Sequence, residues 1–103
     1  MKIKDYPANL IAACKDQKVR KLAEIRITGK ELENAVEHVI DILAAKNLRN
    51  ADMLRKRFQE NMTLRQIAKL YGLSTERVRQ IITECIFRIT RPENWEIICY
   101  GYY

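Results

Sequence analysis

The nineteen residues TLRQIAKLYGLSTERVRQI, Thr63 to Ile81, constrain this chain more than any other part of it. Thr63 and Gln66 have the spacing of a capping box, in front of an apolar set of Leu64, Ile67, Ala68 and Leu70. Gly72 follows, and glycine takes at no steric cost the left-handed backbone that stops a helix abruptly. Leu73 then plugs the corner and Ser74 caps a second helix, in which Val78, Ile81, Ile82, Cys85 and Ile89 share one side. Ala68 is small where the second helix must cross close to the first. Small residue, glycine, plug and apolar pair at these offsets predict a helix-turn-helix.

The rest of the chain is expected to build a scaffold around that motif. With 103 residues there is room for one domain, and three glycines with two prolines favour helices over a loop-rich sandwich. Thr28 and Glu31 form a second T-x-x-E pattern. It precedes a helix with Leu32, Val36, Val39, Ile40 and Leu43 at three- and four-residue steps, ending near Asn47. A further helix is expected from about Asn50, as its cap, to about Gln59, with Leu54 and Phe58 inward. DYPANLIAAC suits a short helix opened by Pro7, whereas KVRKLAEIRI fits a helix through Val19, Leu22 and Ala23 or a strand through Glu24 to Ile27. The tail ENWEIICYGYY carries Trp95, Ile97, Ile98, Tyr100, Tyr102 and Tyr103. It is expected to fold back onto Ile27 and the long helix, with a partner contact as the sharper reading. Alternation in WEIICY also allows a short β pairing with EIRI. The fold expected is mostly all-α, a small bundle of four or five helices.

Several functional classes are excluded. The longest apolar run is only a few residues, so nothing should span a membrane, and no charged-then-apolar leader opens the chain, which makes the cytoplasm the expected compartment. Cys14, Cys85 and Cys99 have no C-x-x-C spacing and His38 is the only histidine, so neither a zinc site nor an acid–base constellation is expected. No enzyme, metal or cofactor is read here. The net charge is +6, and the segment from Arg55 to Arg91 holds nine Lys or Arg against three Glu, so the whole excess lies there. A basic half of that kind calls for an anionic partner, nucleic acid before membrane.

With Val78 taken as the inward direction of the second helix, Glu76, Arg79, Gln80 and Thr83 face outward. These residue types match base edges: arginine pairs with guanine, glutamine with adenine, and glutamate accepts from cytosine. Arg77, Glu84 and Arg88 lie on a flank, with Glu84 and Arg88 spaced for an i,i+4 ion pair. Arg57, Arg65 and Lys69 precede the reading helix and suit phosphate contacts, as do Ser74, Arg77 and Arg88. Phe87 points away from Val78, a turn beyond the reading residues.

LRNADMLRKRFQENMTLRQIAKLYGLSTERVRQIITECIFRI resembles region 4 of the sigma-70-type bacterial sigma factors, over roughly residues 48 to 92. STERVRQI is the most specific piece, supported by LRKRF followed by MTLRQIA. The resemblance implies minus-35 promoter binding with the second helix in the major groove, docking on the flap of RNA polymerase, and base reading by Thr75, Glu76, Arg79 and Gln80. Thr75 stands where many members carry arginine, and Ile82, Glu84 and Phe87 replace residues usually charged or polar; these changes leave the motif intact and bear on the sequence read. The resemblance also implies a free-standing region 4-like regulator of bacterial or phage type, since 103 residues do not hold the domain that melts the minus-10 element. The expected organisation is one domain, with an N-terminal helical part at 1–47, the region 4-like part at 48–92 and the aromatic tail at 93–103.

The expected function is sequence-specific double-stranded DNA binding in transcription regulation, aided by a homodimer or by RNA polymerase. The alternatives are an RNA polymerase-binding protein with weak DNA affinity and a DNA-handling adaptor subunit of a phage or mobile element.

Overall fold

The computed structural model describes residues 5–16 and 22–101. Its helices are α1 (Ala8–Lys15), α2 (Gly29–Lys46), α3 (Leu48–Phe58), α4 (Leu64–Tyr71), α5 (Thr75–Ile89) and α6 (Pro92–Tyr100). Six helices among the described residues exceed the four or five expected, and no strand forms among them.

α5 is the central element: α1, α2, α3, α4 and α6 all pack on it, while α2 also receives α3 and α6. Its inward residues are those read from the sequence, with Val78, Ile81, Ile82, Cys85 and Ile89 all buried. They meet Leu10 of α1, Val36 and Ile40 of α2, Met53 and Leu54 of α3, Ile67 of α4 and Ile98 of α6 in a single cluster. Each aliphatic side chain taken out of water contributes about 1.5–3 kcal/mol. The orientation of α5 is therefore fixed from behind along its length.

Polar ties hold the scaffold together. The Glu37 carboxylate of α2 accepts from the Arg55 guanidinium at 2.7 and 2.8 Å, from Gln59 Nε2 at 2.7 Å and from the Tyr6 hydroxyl at 3.4 Å. Arg55 also donates to Asp41 at 2.9 Å, so this arginine joins α3 to α2.

The tail is helical, which corrects the suggested β pairing. Pro92 stands in the first turn of α6 and Gly101 closes it at φ 77°. Trp95, Ile98 and Cys99, three and four residues apart, are then buried together, and a strand would have split them between two faces. The tail does fold back as expected: Trp95 Nε1 donates to the Ala23 carbonyl at 3.0 Å, and the Arg26 N–H donates to the Cys99 carbonyl at 2.9 Å. Leu22 to Thr28 is neither helix nor strand, held instead by these bonds to α6. The expectations for Val19, Tyr102 and Tyr103 lie outside the described residues.

Three smaller expectations are also corrected. The cap of α3 is Asn47, whose Oδ1 accepts from the Asn50 N–H at 3.1 Å, so the helix starts at Leu48 and Asn50 lies within it. Thr28 makes no side-chain cap on α2. Gly29 follows it at φ 59°, a left-handed turn that takes the chain off the path a capping box requires. Leu70 is 59% exposed rather than part of the apolar set. On so short a helix Ile67 and Ala68 fill the contact with the core, and Leu70 falls outside that stripe.

Candidate nucleic-acid interface

Local chemistry builds the motif as its sequence demands. Thr63 Oγ1 accepts from the Gln66 N–H at 3.1 Å while Gln66 Oε1 accepts from the Thr63 N–H at 2.8 Å, a complete capping box. Gly72 ends α4 at φ 68° and ψ 34°, and the Leu73 N–H returns to the Ala68 carbonyl at 2.9 Å. Ser74 Oγ accepts from the Arg77 N–H at 3.1 Å and starts α5. Its hydroxyl proton remains able to donate outward.

Thr75, Glu76, Arg77, Arg79 and Gln80 are exposed over the first turns of α5, and Thr83 is half-buried. Three of them form a cluster. Arg79 Nε donates to Glu76 Oε1 at 3.1 Å, a second Arg79 nitrogen pairs with Glu76 Oε2, and Gln80 Nε2 reaches that same oxygen at 3.4 Å. Hydrogen bonding from Arg79 holds the Glu76 carboxyl below its usual range, so it is ionised at neutral pH. The side chains thus stand in a charged, hydrogen-bonded array on a helix whose opposite face is locked in the core. Any base that takes the Arg79 fork competes with Glu76 for it.

The cations between Arg55 and Arg91 divide into two groups. Arg55 is bound to Glu37 and Asp41, and Lys56 lies 3.8 Å from both Asp52 and Glu60. Arg57 donates to the Met62 carbonyl at 2.9 Å, bracing the loop before α4, and Arg88 pairs with Glu84 at 3.2 Å. Arg65, Lys69, Arg77 and Arg91 are exposed and, among the described residues, enter no ion pair. Arg65 and Lys69 lie on α4 and Arg77 in the first turn of α5, so three of the four flank the reading cluster in sequence. Arg91, the N-cap of α6, was not among the site residues predicted from the sequence. Its signal was its place in the basic block; that it enters no ion pair among the described residues was visible only in three dimensions.

The departures at the far end of α5 have structural readings. Ile82 is buried, which accounts for an apolar residue there, whereas Phe87 is 46% exposed. Cys14, Cys85 and Cys99 are buried free thiols, and no group of three or more metal-binding side chains occurs among the described residues. No helix among them is long and apolar enough to cross a membrane.

Comparison with known protein families matches residues 47–89 to sigma-70, region 4. The matched span is α3, α4 and α5, so the chain carries a sigma-70 region 4-like helix-turn-helix. The match supports a DNA-binding, transcription-related helix-turn-helix, and sigma-70 region 4 is itself a regulatory rather than an enzymatic family. No solved structure matches the chain.

Proposed function

We propose that this protein binds double-stranded DNA sequence-specifically in the regulation of transcription, with α5 in the major groove. Glu76, Arg79 and Gln80 read base edges, flanked by Thr75 and Thr83. Arg65, Lys69, Ser74 and Arg77 hold phosphates and set the register, whereas Arg57 and Arg88, also expected at phosphates, have donors engaged by the Met62 carbonyl and by Glu84 and add no full contact. The observation that carries this reading is the exposed Glu76–Arg79–Gln80 cluster beside cations that enter no ion pair among the described residues.

One reading helix covers only a few base pairs, so a second copy or RNA polymerase supplies part of the working affinity. Leu48 and Leu70, 72% and 59% exposed, favour a protein partner and support the second reading, a polymerase-binding protein with weak DNA affinity. The cytoplasm is the compartment this function requires.

Two variants test the proposal by fluorescence anisotropy on a preferred duplex and a scrambled one. Arg79→Ala should lower the preference about 5- to 150-fold, the worth of a bidentate base contact of about 1–3 kcal/mol. Arg77→Ala should weaken both duplexes equally. Equal losses for both variants on both duplexes would reduce α5 to a nonspecific surface and favour the polymerase reading.

A further inference from the structure

Phe87 is 46% exposed near the C-terminal end of α5, on a helix that buries its other large apolar side chains. Helical geometry puts it about 20° around the axis from Glu76 and about 16 Å further along, so it continues the stripe of Glu76, Gln80 and Thr83. It borders a shallow groove of about 220 Å³ that it shares with Glu84, Arg88 and Arg91. Glu84 is drawn to Arg88 at 3.2 Å, while Arg91 is exposed and enters no ion pair among the described residues. The surface is thus an aromatic ring set beside net positive charge. A partner that fits it is anionic overall and offers an apolar group of small size. The major groove meets both conditions, because its edges carry one apolar group, the C5 methyl of thymine, between two rows of phosphates.

We propose that Phe87 is a specificity residue that seats on a thymine methyl at the edge of the site, with Arg91 on a neighbouring phosphate. This rests on the reading of α5 as the DNA-facing helix and extends it one turn past Thr83. The contact asks for thymine without a hydrogen bond, so it distinguishes thymine from uracil, which carries the same donors and acceptors and lacks the methyl.

The test uses the full chain and the duplex that the wild type enriches from a random pool, with each thymine replaced in turn by deoxyuridine. Wild type should lose about fourfold in affinity at one thymine at the end of the site, the effect of withdrawing one methyl-sized group from contact. Phe87→Ala should bind the thymine and uracil duplexes equally at that position while still preferring the remaining motif. Because the ring is half exposed, its thermal melting should match wild type, which separates lost contact from lost fold. Indifference of wild type to uracil at every position, or a thymine preference that survives in Phe87→Ala, overturns the assignment and leaves the Arg79 reading standing. Failure to enrich any motif overturns the assignment together with the reading on which it rests.

Discussion

The division of the cations into bound and unbound sets predicts the salt dependence of DNA binding. Between Arg55 and Arg91, four exposed basic side chains, Arg65, Lys69, Arg77 and Arg91, have no ion pair among the described residues, while Arg55, Lys56, Arg79 and Arg88 face carboxylates within 4.0 Å. Each phosphate neutralised releases about 0.9 of a counterion from B-DNA. Four contacts therefore give a slope of about −3.6 for log K against log salt, a loss of about 150-fold between 50 and 200 mM. If all nine basic residues from Arg55 to Arg91 met phosphates, the slope would be about −8. Anisotropy of a labelled duplex from 50 to 400 mM salt measures it. Arg77→Ala should flatten the slope by about 1 and Arg55→Ala should leave it unchanged while destabilising the fold. A slope near −8, or one that Arg55→Ala flattens as much as Arg77→Ala does, would refute the division.

Two further outcomes follow from the fold. Gly72→Ala forces a Cβ into the left-handed backbone at φ 68°, where no atom lies within 4 Å of it, so strain alone should cost about 1–2 kcal/mol in urea unfolding. A loss far above that would mean the turn is also packed. Burial pushes the Cys14 thiol up to about 12 and Cys85 to about 11, so the native state keeps these protons to higher pH than the unfolded chain does. Their contribution is intact below pH 9 and falls by about 1.4 kcal/mol per pH unit per thiol from there to about 11 for Cys85 and about 12 for Cys14, and Cys14→Ala should shallow that decline. An identical pH profile in the variant would contradict the burial of this thiol.

The motif was legible because its signals are local. Thr63, Gln66, Gly72 and Ser74 each act on backbone within four residues, and every one of those bonds or turns forms. The buried face of α5 was legible from periodicity for the same reason. What the sequence concealed was decided by distant partners. The alternation of WEIICY masked a helix that Pro92 and Gly101 punctuate, because the face that Trp95 and Cys99 share is buried only when α6 packs on the rest of the fold. Asn47 and Asn50 are equally good caps by type, and Asn47 is the one whose side chain caps α3. Arg55 read as part of a basic surface until Glu37 and Asp41, fourteen and more residues earlier, were found beside it. For the candidate interface, the direction of Glu76, Arg79 and Gln80 followed from helical geometry, whereas their mutual pairing and the isolation of Arg91 did not.

The most direct test of the central claim is selection of bound sequences from a random duplex pool at about 0.1 M salt, run in parallel for wild type, Arg79→Ala and Gln80→Ala. Wild type should enrich a short motif, and each variant should lose its preference at a different base pair while retaining the rest. Enrichment no better than the salt-sensitive background, or a motif unchanged in both variants, would contradict base reading by α5.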